Sequence, residues 1–349
     1  MRPPLDHLQA LSDDTGIIQH AILDVPNRAT GYCTDDVSRA FMVALQRLRA
    51  EPANAVAHKL AGTYLAFLSD AQMEDGWFHN FMSYDRRWLD ERGTQDSFGR
   101  ALWSLGYGIR FAHRESWPAV CALSLAHALP RVGELAFMRS QSYAILGLWH
   151  AIEGGAIETD LCLQAMRRLA DELRASYEEH RAEDWLWFED VMTYDNARLC
   201  EAALRAGEAL GDAQLSEIGL ESMNFYRSVV IEGDVFVPIG NEGWYERGGK
   251  RARYGQQPLE AVALVDAAFA AYEVSGDASF LATARSGWLW YYGQNTAGAT
   301  MVHDGGCRDG IDADRINANM GAESTLASLS AAATMCEAEN AFASNVDAQ

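Results

Sequence analysis

The sequence predicts an all-α protein in which six helix hairpins form a ring, with the long loops on one face. A short polar cluster runs into an amphipathic helix six times, at intervals of roughly 45 to 65 residues, close to the periods of repeat architectures. Alanine and leucine are abundant, whereas runs of valine, isoleucine and threonine are few, which favours helix over strand. A repeat that runs from end to end favours one domain over residues 1–349.

The repeated helix start is clearest at residues 34–40, where Asp35 and Asp36 are followed by Arg39 on the first turn. Polar residues at this position suit the free N–H groups of a helix N-terminus. The other five starts lie at 94–100, 140–142, 193–198, 255–258 and 319–324.

Hydrophobic residues at helical spacing give the expected helix pairs. Pro52 supplies the first break and is expected in the first turn of the next helix. A sixth inner helix is expected at 321–337, with either the tail 338–349 or the entry segment 1–30 as its partner. The five complete pairs are 36–50 with 53–70, 96–113 with 117–129, 134–152 with 158–181, 195–209 with 213–229, and 258–274 with 278–294.

The connections alternate between short turns and long loops. In a ring of antiparallel pairs, every connection from one pair to the next lies on the same face. We therefore expect the six polar helix starts and the loops rich in Trp, Tyr and acidic residues to converge on one end, which we call the mouth. The long connections are 71–95, 182–194, 231–257 and 295–320, all well above the usual loop length.

Net charge and cysteine content exclude several functions. The formal net charge of −21 disfavours binding to nucleic acid or to an anionic membrane surface. Six cysteines are scattered without a C-x-x-C motif, so we expect no metal site and no cofactor, and free thiols in a reducing cytoplasm. No run of 18 apolar residues and no signal-peptide pattern occurs, which also favours a cytoplasmic protein.

Four stretches carry a resemblance to a known superfamily: 31–36, 80–88, 193–198 and 321–325. They resemble the six-hairpin glycosidase superfamily, the (α/α)6 toroid, and within it a bacterial glycosidase-like group, some members of which are fused to glycosyltransferases. The resemblance covers about residues 15–337. It implies a carbohydrate-active enzyme with an oligosaccharide or glycoside substrate and a functional link to a glycosyltransferase. Most hydrolases on such toroids invert the anomeric carbon.

An inverting glycosidase needs a carboxylic acid and a carboxylate about 6.5–9.5 Å apart. We expect Asp36 and Asp96 on one wall of the mouth and Glu260 or Glu323 on the other. The structural alternative is that an aspartate at a helix start caps the helix, or pairs with the arginine four residues later.

Aromatic rings can stack on sugar faces, and amide groups can pair with hydroxyls. Arginine in a mouth loop can bind a carboxylate or phosphate on a substrate, or anchor the loop in a salt bridge. Packing and turn formation are the alternatives for the rest. The expected substrate-binding residues are Asp35, Arg39, Trp77, Tyr84, Arg86, Arg100, Tyr194, Asp195, Trp244, Tyr254, Gln256, Gln257, Asn317 and Asn319.

Two other functions stay open. Sugar epimerases of the N-acylglucosamine type share a similar toroid but use histidine pairs as acid and base. No histidine occupies an inner helix start, so this function depends mainly on His79 and His303 in the mouth loops, and their facing each other across the mouth would favour it. The third alternative is a non-catalytic glycan-binding module.

Overall fold

The computed structural model describes residues 2–155 and 159–347, which form twelve α-helices. Two short 3₁₀ helices, Arg28–Thr30 and Leu129–Glu134, join them. In chain order the α-helices are α1 (Asp6–Leu11), α2 (Thr34–Ala50), α3 (Ala55–Ala71), α4 (Gln95–Phe111), α5 (Ser116–Ala128), α6 (Met138–Gly154), α7 (Thr159–His180), α8 (Ala197–Leu210), α9 (Ala213–Val230), α10 (Pro258–Ser275), α11 (Ser279–Trp290) and α12 (Ala322–Asp347).

The even-numbered helices form a closed inner ring. Each packs against the next, and α12 returns to pack against α2. Helices α3, α5, α7, α9 and α11 each lie outside the inner helix that precedes them. The short helix α1 contacts α12, so the entry segment supplies the partner of the sixth inner helix. The predicted all-α ring of six hairpins is confirmed.

Apolar spacing and small residues explain the packing of the inner ring. On α2, the side chains of Val37, Phe41 and Leu45 are fully buried, as their helical spacing predicts. Helices α4 and α6 approach most closely at Gly106 and Gly147. A Cβ atom at Gly106 would lie 1.9 Å from the Gly147 carbonyl oxygen, so this crossing excludes any side chain there.

The loops of the mouth are joined by two-stranded antiparallel ladders of two residues each. Two of these ladders join segments from different hairpins, and an isolated bridge between Gln256 and Ile311 joins two further loops. The predicted convergence of the loops is therefore seen directly. The pairs are β1 (Ala21–Ile22) with β2 (Val25–Pro26), β3 (Tyr32–Cys33) with β4 (Phe81–Met82), β5 (Val191–Met192) with β8 (Tyr245–Glu246), β6 (Ile231–Glu232) with β7 (Val235–Phe236), β9 (Val302–His303) with β10 (Gly306–Cys307), and β11 (Gly310–Ile311) with β12 (Ile316–Asn317).

Several predicted boundaries are wrong. Helix α6 begins at Met138 instead of 134, because the preceding residues form the 3₁₀ helix. Helix α12 continues to Asp347, so the predicted tail is part of the helix. Pro52 lies in the turn before α3, and Asn54 caps that helix by accepting a hydrogen bond from the Ala57 N–H. The predicted start at 158 and the last two residues of the tail lie outside the described residues.

Candidate functional site at the mouth of the toroid

A cavity of about 390 Å³ opens at the mouth, between the first turns of α2, α10 and α12. This volume lies within the range of small-molecule sites. Loop residues from the entry segment and from the long connections 71–95, 231–257 and 295–320 complete its wall. Six of the predicted site residues line it: Asp35, Asp36, Gln256, Gln257, Asn317 and Glu323.

Helix capping does not explain the aspartates of α2 and α4. The cap of α2 is Cys33, whose Sγ accepts the backbone N–H of Asp36 at 3.4 Å. The cap of α4 is Thr94, whose hydroxyl accepts the N–H of Ser97 at 3.1 Å. The side chains of Asp36 and Asp96 are therefore available for other contacts.

Arg39 pairs with two carboxylates that line the cavity, Asp36 and Glu323. Its guanidinium contacts Asp36 at 3.0 Å and Glu323 at 2.9 Å, and Asp35 lies 3.2 Å away. Burial raises the pKa of Asp36 to about 6; Arg39 opposes this shift, and the negative charges of Asp35 and Glu323 add to it. Asp36 is therefore a buried acid that titrates near neutral pH beside a second carboxylate.

A second cluster of ion pairs joins α2, α4, α6 and the start of α8. Arg100 contacts Asp35 at 2.8 Å and Asp195 at 2.9 Å, and its guanidinium lies over the ring of Tyr143 at 3.9 Å from the centroid. The Tyr143 hydroxyl also donates to Asp195 at 2.6 Å. Asp195 is fully buried and has a φ of 50°, a left-handed conformation that a β-carbon disfavours. These contacts fix the positions of four inner helix starts.

Asp96 lies outside the cavity lining, and two other side chains engage its carboxylate. Ser140 donates to one carboxylate oxygen at 2.5 Å, and the Tyr194 hydroxyl donates to the other. Asp96 is half-buried. Its role as a catalytic carboxylate and that of Tyr194 as a sugar-binding ring stay predictions.

Glu260 also lies outside the cavity lining, buried between α8 and α10. It accepts the backbone N–H of Asp195 and, at 3.3 Å each, the Asn196 amide and the Tyr226 hydroxyl. Burial, followed by the negative charge of Asp195, raises the pKa of Glu260 to about 7. Of the four predicted catalytic carboxyls, the structure brings Asp36 and Glu323 together and holds the other two apart from the cavity.

All five predicted sugar-binding aromatic residues lie outside the cavity lining. Trp77 is buried against Phe98, with ring centroids 4.1 Å apart. Tyr84 and Tyr254 are exposed, and Trp244 is half-buried against the core. The last two predicted polar residues make contacts within the loops: Arg86 pairs with Asp14 at 2.6 Å, and Asn319 accepts the N–H of Leu23.

The two histidines of the epimerase alternative do not face each other across the cavity. His79 stacks on Trp88 at 4.9 Å and lies 3.0 Å from the carbonyl oxygen of Asp90. His303 is exposed beside Asp304 in the β9–β10 hairpin. Neither lines the cavity.

Sequence reasoning missed several lining residues, and His20 is the most informative of them. The isolated bridge between Ile18 and Tyr32 brings the entry segment to the mouth. No local pattern marks this pairing, so the sequence gives no signal for it. The other missed polar residues are Gln19, Asn80, Asn241, Asp309, Asp312 and Ser324.

Within residues 2–155 and 159–347, no cluster of three or more His, Cys, Asp or Glu side chains is arranged to hold a metal ion. None of the helices in the same ranges has the length and apolar character that crossing a bilayer requires.

The closed ring of six helix hairpins is an (α/α)6 toroid, and the similar solved structures have the same fold. It is similar to a cellobiose 2-epimerase from Bacillus thermoamylovorans (14% identity, 96% of each chain covered, TM-score 0.73). It is also similar to a D-mannose isomerase (10% identity, 94% of this chain and 93% of that chain, TM-score 0.71). A third similar structure is the cellulase Cel9M of C. cellulolyticium in complex with cellobiose (8% identity, 93% and 88% covered, TM-score 0.63).

At these identities the likeness establishes the fold. No family model matches the sequence, and a search of curated proteins gives no match.

Proposed function

We propose that the chain is a carbohydrate-active enzyme whose reaction takes place in the mouth cavity by general acid–base catalysis. The observation that carries the proposal is the pair of carboxyl groups, Asp36 and Glu323, held on either side of one guanidinium in a cavity of suitable size. The amides of Gln257 and Asn317 in the same cavity supply donors and acceptors for sugar hydroxyls.

Asp36 is the proposed proton donor and acceptor. A pKa of about 6 allows it to release and regain a proton near neutral pH, which is the condition for efficient general acid–base catalysis. Glu323 is the proposed second carboxyl, because its side chain is 37% exposed and faces the same cavity. Arg39 positions both groups.

Sugar epimerisation or isomerisation is the first candidate reaction. It requires removal of a proton from a carbon next to a carbonyl group and its return, and a group with a pKa of about 6 suits both steps. Because His79 and His303 lie outside the cavity, Asp36 takes the acid–base role in this candidate that histidine takes in epimerases of the N-acylglucosamine type. Two of the similar structures are a cellobiose 2-epimerase and a D-mannose isomerase, which supports this candidate.

Inverting glycoside hydrolysis is the second candidate, favoured by the presence of two carboxyls at one site. Asp36 and Glu323 contact the same guanidinium at 3.0 Å and 2.9 Å, which brings two carboxyls from different helices to one site, as hydrolysis with a general acid and a general base requires. The cellulase among the similar structures supports this candidate. The link to a glycosyltransferase stays a prediction.

A panel of aldoses, ketoses and disaccharides incubated in D₂O tests the proposal, with products followed by NMR. Epimerisation or isomerisation by proton transfer places deuterium at the carbon next to the carbonyl when the catalytic proton exchanges with solvent. Inverting hydrolysis releases a new reducing end with the opposite anomeric configuration.

Asp36→Asn and Glu323→Gln should each lower turnover at least about 100-fold, the lower range of general acid–base contributions. Asp184→Asn and Glu339→Gln are matched controls, since both side chains are exposed and outside the cavity. Saturable binding of a saccharide without turnover would instead support the glycan-binding alternative. Turnover that survives both site variants would refute the assigned roles.

A further inference from the structure

A second cavity of about 330 Å³ lies on the axis of the ring, and we call it the axial chamber. All six inner helices line it, from Arg39 and Arg100 near the helix starts to Arg49 and Phe111 at the helix ends. None of its lining residues also lines the mouth cavity. The axial chamber is therefore a separate space that extends toward the end of the toroid opposite the mouth.

Three arginines from three inner helices, Arg49, Arg110 and Arg205, line the far end of the chamber. Their side chains are 30%, 25% and 8% exposed. Their carboxylate partners are more exposed, at 42–49%: Glu337, Glu153, Glu273 and Glu208. Solvent screens an exposed charge more strongly than a less exposed one, so these carboxylates neutralise the arginines only in part.

The arginines of the chamber contribute to the pKa shifts of two neighbouring groups, although five carboxylates also line the chamber. The pKa of His150 lies well below its ordinary value because the ring is buried and because Arg110, Arg205 and Arg49 surround it. Burial also lowers the pKa of Arg110; Glu153 opposes this shift, whereas Arg205 and Arg49 add to it. In both groups burial is the largest cause of the lowered pKa, and the positive charge of the neighbouring arginines adds to it.

Several buried donors that line the chamber have no hydrogen-bond partner among the described residues, and two of them are adjacent at its far end. These two are the indole N–H of Trp149 and the Nε–H of Arg205, on residues that are 9% and 6% exposed. The Arg205 guanidinium lies over the Trp149 ring, 4.1 Å from its centroid, and Arg110 lies over the same ring at 4.8 Å. Since an unpaired buried donor costs free energy, these adjacent groups indicate a missing acceptor.

We infer that the axial chamber is a second ligand site, which binds a small organic anion with a carboxylate or phosphate group. The anionic oxygens would accept hydrogen bonds from Trp149 and Arg205, while Arg110 and Arg49 supply further positive charge. The rings of Trp103, Tyr107 and Phe269 give the chamber an apolar wall for the carbon skeleton of the ligand. The site does not depend on the reaction proposed for the mouth.

Isothermal titration calorimetry on the full chain tests the inference with glucose 6-phosphate, citrate and inorganic phosphate as probes. The ionic strength is held constant with sodium chloride, because screening changes all these affinities. We expect saturable one-to-one binding of at least one probe. Trp149→Phe and Arg110→Gln should each weaken it about tenfold, because each removes a donor or a charge from a charge-assisted contact.

Two matched variants control for general effects. Trp288→Phe removes another buried, unpaired indole N–H from an outer helix, and Arg285→Gln removes an exposed arginine. Neither should change the affinity. Circular dichroism would confirm that every variant is folded. If Arg110→Gln does not fold, Trp149→Phe still tests the site, because it keeps an aromatic side chain at this position.

Three outcomes would overturn the inference. One is the absence of saturable binding for all three probes up to about 10 mM, because a Kd above this concentration is too weak for a specific ligand site. Another is binding that the chamber variants and the control variants weaken equally. The third is binding of neutral glucose or cellobiose that Trp149→Phe weakens while no anion competes, which would make the chamber a second saccharide site.

Discussion

Arg39 donates to Glu323 at 2.9 Å, and this contact joins the first inner helix to the last across 284 positions of sequence. The same guanidinium donates to Asp36 at 3.0 Å. Because two carboxylates share one cation, the charge of either one changes the proton affinity of the other. The closure of the ring and the electrostatics of the mouth therefore depend on the same side chain.

Glu323→Gln should lower the pKa of Asp36 below its value of about 6. Burial is the main cause of the raised value, and the negative charge of Glu323 contributes to it. Removing that charge also frees Arg39 to favour the ionised form of Asp36. Carbon-13 NMR of labelled aspartate carboxyls across pH measures this directly. Glu339→Gln should leave the titration unchanged, and an unchanged or higher pKa in Glu323→Gln would contradict the assigned coupling.

Glu260 should make the protein less stable as pH rises from about 4.5 to about 7. Below this window the carboxyl is protonated in both the folded and the unfolded chain. Within the window the unfolded chain, with its ordinary pKa of 4.5, releases the proton while the folded protein retains it up to about 7. The free energy of unfolding therefore falls as pH rises, by up to about 3 kcal/mol for this group.

Urea denaturation of wild type and Glu260→Gln at pH 5, 6, 7 and 8 measures this effect. The variant cannot ionise at this position, so its stability should fall less between pH 5 and pH 8 than that of the wild type. Glu339→Gln provides the matched exposed control. If Glu260→Gln shows the wild-type pH dependence, the buried carboxyl is not the source of the destabilisation.

The fold could be predicted because its signals are local. Helical spacing places Val37 and Phe41 on a buried stripe, and the polar start that precedes them marks where the helix begins. The positions of Asp35, Asp36 and Glu323 at the mouth follow from the same repeat, because every inner helix begins at one end of the ring. Predicting where these three residues lie required no knowledge of contacts between distant parts of the sequence.

The hydrogen bonds and burial of the predicted site residues could not be predicted, because they depend on partners that are distant in sequence. Asp96 is held by Ser140 and Tyr194, which lie 44 and 98 positions further along the chain. Glu260 is buried by contacts with the start of α8. His20 reaches the mouth through a pairing of extended segments that no periodicity marks.

One thiol should react with Ellman's reagent in the native protein, and six should react after denaturation. Cys336 is half-buried, whereas the other five cysteines are buried. Burial raises the pKa of each buried thiol and so suppresses the reactive thiolate. Cys336→Ser should abolish the native reaction, and reaction of a second thiol before unfolding would contradict the predicted burial. The five buried cysteines are Cys33, Cys121, Cys162, Cys200 and Cys307.

Asp195→Ala should lower the free energy of unfolding by about 3–5 kcal/mol, the cost of removing one partner from a buried ion pair. Asp195 is fully buried and holds Arg100 at 2.9 Å and Arg198 at 3.5 Å, so its loss leaves two guanidinium groups without this counterion. Urea denaturation at pH 7 gives the value. A loss below about 1 kcal/mol would show that the remaining carboxylates of the cluster suffice.

Two further substitutions at position 195 separate charge from backbone strain. Asp195→Asn keeps a side chain that tolerates the left-handed conformation while removing the charge, so it should cost less than alanine. Asp195→Gly removes both the carboxylate and the strain at a φ of 50°, and should be about 1 kcal/mol more stable than Asp195→Ala. Equal stability of the glycine and alanine variants would mean that the conformation at Asp195 stores no strain, and that its charge alone accounts for the loss.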